Sequence, residues 1–273
     1  MLCWESVALG YFTYLAIVAI LRPRFVRARW PAIALAAVTW VILPLERQSG
    51  ELLSNSLHAL IPVPVLLAGY WLSGFFFVRP MPRLEQWLRR VDQACLRRRE
   101  ARNSLRAWRW LATYLELAYL LVYLVVPAGA LTLVVTGHQD AVDRFWTTVM
   151  LAAFVSYGML PWLQTRPPRA LDESDRSADG GQPLLRHLNL WVLGRASIEA
   201  NTVPSGHAAA AIAVALSVGA AIPELRAILL LISISIVLAT VVGRYHYIVD
   251  SVAGVIVGAA AWALVRSLGC YAN

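Results

Sequence analysis

Apolar runs of roughly twenty residues alternate along this chain with short, polar, arginine-rich stretches. The runs fall at Ser6–Leu21, Trp30–Leu45, Leu57–Val78, Leu111–Val135, Arg144–Leu163, Val203–Ile222, Leu225–Val242 and Tyr247–Leu268. Crossing a hydrocarbon core about 30 Å thick takes ~17–25 helical residues. Most of the runs reach that length, and the first two are short. Inside lipid no water is at hand for backbone N–H and C=O groups, so each run must close its own hydrogen bonds as a helix. The pattern predicts an all-α, polytopic membrane helical bundle of about eight transmembrane helices.

One segment follows a different pattern. Within Arg79–Arg109, which holds ten arginines and three acids, Leu84, Trp87, Leu88, Val91, Ala94 and Cys95 recur at helical spacing. This predicts an amphipathic helix on the membrane surface. Gln164–Thr202 is polar, with an acidic, Gly-containing tip at Asp172–Gly181, and reads as a surface loop. Trp108, Trp110, Tyr114, Trp146 and Trp162 sit near span ends, as interfacial aromatic residues do. Gly254 and Gly258 form a GxxxG pair, which predicts close helix packing. The chain divides into residues 1–110, the N-terminal spans with the basic segment, and residues 111–273, a core carrying the chemistry.

Composition supports the membrane reading. Mean hydropathy is +0.60, 59% of residues are apolar and 15% are charged, against roughly 25% charged in soluble domains. The 24 basic residues are all arginine and give a net charge of +8. Because they lie between apolar spans, they point to anionic headgroups and not to nucleic acid. With eight crossings, 20 of them fall on one side and 4 on the other. The positive-inside rule places the rich side in the cytosol. Cys3, Cys95 and Cys270 show neither metal spacing nor a disulfide framework. Met1–Glu5 carries no positive charge, and the first arginines follow the first apolar run, so that run reads as a retained span and not a cleaved signal.

Three polar clusters stand at predicted span ends. Pro204-Ser205-Gly206-His207 directly precedes Ala208–Ile222. Proline suits a first helical turn, glycine admits close approach to the backbone, and a helix N-terminus attracts phosphate through free N–H groups and the helix dipole. The second cluster is Arg244-Tyr245-His246-Tyr247-Ile248-Val249-Asp250. On a helix beginning there, Asp250 lies four residues from His246 and accepts a hydrogen bond that fixes the ring's tautomer. Arg244 offers a planar fork for phosphate oxygens. The third is Arg166-Pro167-Pro168-Arg169, whose arginines either coordinate phosphate or mark the cytosolic boundary. The topology puts all three on one membrane face. Each cluster alone is also explained by capping or interfacial ion pairing. Glu116 lies inside a span and requires a partner there, with an arginine of the bundle preferred. Arg195 and Asn201 lie close enough to the second motif to touch a headgroup. His58, His138 and His187 are given no role.

The combination resembles the type 2 phosphatidic acid phosphatase superfamily over Leu111–Leu268. Pro204–His207 matches its second motif in full. Arg166-Pro167 matches the end of the first, where Met159 stands in the lysine position. His246 and Asp250 match the end of the third, where Ala239 and Thr240 stand in the Ser-Arg positions. Arg244, two residues before His246, gives a shortened form similar to the inositol phosphorylceramide synthase branch. The resemblance implies that His246 attacks phosphorus, that Asp250 orients it, and that His207 protonates the leaving oxygen. Arg166, Arg244, Ser205 and the Gly206 amide would hold the phosphoryl oxygens. It implies no metal and no cofactor, with a lipid phosphate as substrate, membrane lipids as surroundings and a bacterial inner membrane as location. Hydrolysis is the first reading and headgroup transfer the second; a transporter using Glu116 and Asp250 is the reading from another class.

Overall fold

The computed structural model describes residues 3–46, 59–95, 109–171 and 184–268. The helices in chain order are α1 (Cys3–Leu21), α2 (Val26–Glu46), α3 (Pro62–Gly74), α4 (Pro82–Cys95), α5 (Arg109–Val135), α6 (Val142–Gly158), α7 (Pro168–Leu171), α8 (Leu184–Ala196), α9 (Gly206–Ala221), α10 (Arg226–Val242) and α11 (Ile248–Ser267). Among the described residues the only extended pairing is a single antiparallel bridge between Thr165 and Asn201. The all-α membrane bundle expected from the apolar runs is the observed architecture.

Every predicted run forms a helix, but not every helix is long enough to cross. Five stretches qualify by length and hydropathy: Cys3–Leu21, Pro23–Leu43, Trp110–Val135, Pro223–Val242 and Ile248–Ser267. The α3 run is the clearest shortfall. Pro62 starts the helix and it ends at Gly74 after 13 residues, about 20 Å at 1.5 Å per residue. The acidic stretch Asp172–Asp179, along with Trp108, His58 and Cys270, lies outside the described residues.

The centre of the bundle is α9, which packs against α5, α6, α10 and α11. Its sequence explains this. Ala208, Ala209, Ala211, Ala213 and Ala215 are fully buried, and side chains this small let four neighbours approach at once. The GxxxG expectation holds: Cβ atoms added at Gly254 and Gly258 of α11 would lie 2.5 Å from the carbonyl oxygens of Ser205 and Ala209. Around this centre α1 packs on α6, where the Tyr11 and Phe154 rings stack at 4.1 Å. Lipid-facing positions such as Leu124, Leu231 and Ile256 are exposed.

Two ends can be told apart by their contacts. At one, Tyr14 donates to the Gly158 carbonyl at 2.8 Å and Arg24 to the Pro161 carbonyl at 2.9 Å. At the other, the amides of Cys3 and Trp4 reach the Asp143 carboxylate. The first end carries the three polar clusters. There α4 does more than rest on a surface. Leu88 is fully buried against Val203 and Tyr247, Asp92 accepts the Ile248 amide at 2.9 Å, and Glu85 binds Arg166. The outer side of α4 keeps the expected amphipathic character, with Trp87 exposed.

Candidate active site

The histidine-bearing turn is shaped by the end of α10. The amides of Tyr245 and His246 both donate to the Thr240 carbonyl, at 2.9 and 3.0 Å. That reversal needs a left-handed residue, and Arg244 supplies it with φ +62°. The next helix, α11, begins at Ile248 with Tyr247 as its N-cap, so His246 precedes the helix instead of lying in its first turn. Asp250 is the third helical residue, and its Oδ2 accepts the Tyr247 amide at 3.0 Å. The His246 Nδ1 to Asp250 Oδ2 distance is 3.9 Å, beyond hydrogen-bond range. The expected Asp–His hydrogen bond is therefore not made in this state. Both His246 Nδ1 and Asp250 Oδ1 are buried without a hydrogen-bond partner among the described residues.

Opposite this turn, Ser205 caps α9 by accepting the Ala208 amide at 3.3 Å. Its own amide donates to the Asp250 carbonyl at 2.9 Å, stitching the second motif to the third. His207 follows in the first turn of α9. Its Nδ1 lies 3.3 Å from His246 Nε2. The two imidazoles that sequence reasoning placed in distant motifs are in direct contact.

Other residues close the site. Asn201 Nδ2 donates to Asp250 Oδ2 at 2.7 Å and to Thr165 Oγ1 at 3.1 Å, joining the loops before α7 and α9. Tyr119 of α5 stacks on Tyr245 at 3.7 Å and lies 5.4 Å from the His207 ring. The space left between these groups is about 20 Å³, room for about one water. Burial, with the nearby positive charge of Arg169 second, pushes the His246 imidazole down to about 3. The ring is thus neutral throughout the physiological range.

The arginines distribute unexpectedly. Arg169 lines the cavity with both histidines and stands over the Tyr245 ring at 5.6 Å. Arg166 does not line it. Its backbone N, Nε and Nη2 all donate to the Glu85 carboxylate, at 2.8, 3.2 and 3.0 Å, and this clamp raises the guanidinium pKa. Arg244 Nη2 reaches the Pro168 carbonyl at 3.5 Å, and the Arg244 carbonyl accepts the Arg169 amide at 3.1 Å. The Gly206 amide is engaged by Thr202 Oγ1 at 3.3 Å, and Ser205 is wholly buried. The structure brings His207, His246, Asp250, Ser205 and Gly206 together; Arg166 and Arg244 border the group and Arg169 enters it. Tyr119 and Thr202, outside every motif, also line the cavity, as does Tyr245, which lies in the second cluster but was given no role. The one available signal was a tyrosine on α5 facing an expected polar pocket.

Glu116 has the arginine partner expected of it. Arg186 donates to Oε1 at 3.0 Å, Asn189 donates to Oε2 at 2.6 Å, and the Tyr245 hydroxyl donates to the same oxygen. Arg186 also reaches the Gly243 carbonyl at 2.9 Å. A buried ion pair thereby fixes the turn that carries His246.

The structure is a helical membrane bundle that gathers two imidazoles, a buried carboxylate and an arginine at one end. The PAP2 superfamily model matches residues 86–264, and the chain belongs to that superfamily. Its members are phosphatases or phosphotransferases. The match starts inside α4, further upstream than the motifs alone extend. No curated protein and no solved structure matches the chain.

Proposed function

We propose that this protein hydrolyses a phosphomonoester or diphosphate of a lipid through a phosphohistidine. The observation that carries this reading is the 3.3 Å approach of His207 Nδ1 to His246 Nε2 beside Asp250 and Arg169. His246 Nε2 attacks phosphorus as the bond to the lipid oxygen breaks, and His207 gives that oxygen a proton. Asp250, whose Oδ2 lies 3.9 Å from Nδ1, offsets the charge of the phosphoimidazole. Arg169 faces the phosphoryl oxygens as negative charge gathers on them, with Arg166 and Arg244 at the margin. Water, losing its proton to His207, then attacks the phosphohistidine, releasing phosphate and restoring His246.

The alternative is headgroup transfer, in which an alcohol replaces water; the shortened Arg244-x-His246 spacing is what favours it. The transporter reading loses support because Glu116 is occupied by Arg186, Asn189 and Tyr245. Purified protein incubated with lipid phosphates, with and without chelator, tests the proposal. Phosphate is expected to be released, and both His246→Ala and His207→Ala should abolish release. Release that survives both substitutions would overturn the assignment, and headgroup exchange without release would move it to the transferase. We infer further that the site faces the cytosol of a bacterial inner membrane. Among the described residues the polar-cluster end carries Arg24, Arg166, Arg169 and Arg244, and the sequence count assigns 20 of the 24 arginines to that side. A reporter fused at Asp175 should be cytosolic; an external one reverses the orientation.

A further inference from the structure

The end of the bundle opposite the histidines holds a second and larger cavity, about 510 Å³. Its walls come mainly from α6, α9, α10 and α11. Arg144, Arg226 and Arg266 stand in them, and no carboxylate is among the described lining residues. These three arginines come from three different helices and converge on one space. Each has a local contact that orients it. Arg144 is 3.5 Å from the exposed Asp140, Arg226 Nε donates to the Gly219 carbonyl at 3.0 Å, and Arg266 stands 5.3 Å over the Trp262 ring. The Ser217 hydroxyl lines the same space, buried and without a hydrogen-bond partner among the described residues.

The lining is mixed. Phe145, Leu216, Trp262 and Val265 supply apolar wall beside the guanidinium groups. The volume falls in the range of roughly 300–1,000 Å³ typical of small-ligand sites. Guanidinium forks match phosphate oxygens in pairs, and like charges gathered at a membrane-span end favour an anion there. Inorganic phosphate would use the arginines but leave the apolar wall wet. A ligand with an anionic phosphate on a glyceride body uses both.

We propose that this cavity binds the phosphate-bearing headgroup of an anionic phospholipid from the leaflet opposite the histidine site. The bound headgroup bridges the first turn of α6, the start of α10 and the last turn of α11. The α10 and α11 helices lead to the His246 turn at their other ends.

Full-length protein in a neutral detergent, offered phosphatidylglycerol or phosphatidylcholine and read by native mass spectrometry, tests this. The wild type should retain phosphatidylglycerol preferentially. The Arg144→Gln/Arg266→Gln variant should bind it about twenty-five-fold more weakly, about fivefold for each arginine lost. Arg226→Lys, which keeps the charge, should retain it. In the wild type alone the preference should fall as salt screens the contacts, a readout that needs no variant to fold. Equal retention of the two lipids, a salt-indifferent preference, or undiminished binding in the double variant overturns the proposal. So does displacement of the lipid by equimolar glycerol phosphate, which would make this a free-anion site. Arg169→Gln, at the other end, should leave retention unchanged; loss there would place the lipid at the histidines instead and overturn the proposal too.

Discussion

Glu116→Gln tests whether the buried ion pair holds the turn that carries His246. The substitution keeps the side chain's shape and removes its charge. Arg186, 6% exposed, would keep the Gly243 carbonyl and the Tyr245 oxygen beside Nη1 but lose the carboxylate at 3.0 Å. Removing one partner of a buried pair destabilises by about 3–5 kcal/mol. For a chain of this size that corresponds to a melting point lower by about 6–20 °C. Arg186→Met should do the same through the orphaned carboxylate. The double variant should recover most of the loss, since neither charge is then stranded. Tyr245→Phe, which loses a hydroxyl donated to a charged acceptor, should lower stability by about 1.5–3 kcal/mol. The assay is thermal unfolding in detergent followed by tryptophan fluorescence, with phosphate release measured below the transition. The turn's restraints should show in kcat, because Tyr245 immediately precedes His246 and stacks on Tyr119. A Glu116→Gln protein with unchanged melting and full activity, or a double variant as poor as the sum of the singles, would refute this account.

Three further outcomes follow from the same geometry. Arg169→Gln should lower kcat by about 10²–10³, the usual loss for one donor to developing charge, whereas Arg166→Gln should act mainly by freeing Glu85 and speeding hydrogen exchange across Pro82–Cys95; equal kcat losses would show that the clamp does not persist in turnover. His246 should stay neutral by ¹⁵N NMR from pH 8 to pH 5, and since the unfolded chain takes up that proton near 6.5 while the fold refuses it until about 3, stability should fall as pH drops through that window; a midpoint near 6.5 in the fold would show the ring is wet. Gly258→Ala should destabilise by about 1–3 kcal/mol through overpacking against the Ala209 carbonyl, while Gly10→Ala, with nothing within 4 Å of its added Cβ, should be neutral or stabilising in the same melting assay.

What the sequence revealed and what it hid divide along physical lines. Apolar runs report helices because lipid imposes that structure on any long enough segment, and all eight runs became helical. Length is harder to read: Pro62 and Gly74 trimmed α3 to 13 residues inside a 22-residue apolar run. The motifs located His207, His246 and Asp250 because spacing within a turn is local. Arg166 and Arg169 could not be ranked, since three residues apart across two prolines they point to different partners, and Glu85 lies 81 positions from Arg166. Helix α8 was hidden for another reason. Its apolar residues Leu188, Leu190 and Trp191 face outward, while Arg186 and Asn189 are buried. A pattern search tuned to water expects the reverse, and the polar positions made the segment look like loop.

The contact between the imidazoles also bears on how a phosphoryl group enters. With 3.3 Å between Nδ1 and Nε2 and about 20 Å³ of free space, no phosphorus fits between the rings as they stand. One of them must yield. His246 is restrained from two sides: its amide is held by the Thr240 carbonyl at 3.0 Å, and Asp250 stands behind its ring. The Glu116 network then fixes the residue before it. Beyond its contact with His246, the His207 ring is faced by Tyr119 and Tyr123, contacts that tolerate rotation far better than a buried ion pair does. In the proposed mechanism the acid–base group is therefore the movable one and the nucleophile the fixed one. Swinging His207 away opens the line of attack on Nε2 while leaving Asp250 and the turn undisturbed. A phosphate-analogue complex with the His246 backbone displaced and the His207 ring unmoved would contradict that division of labour.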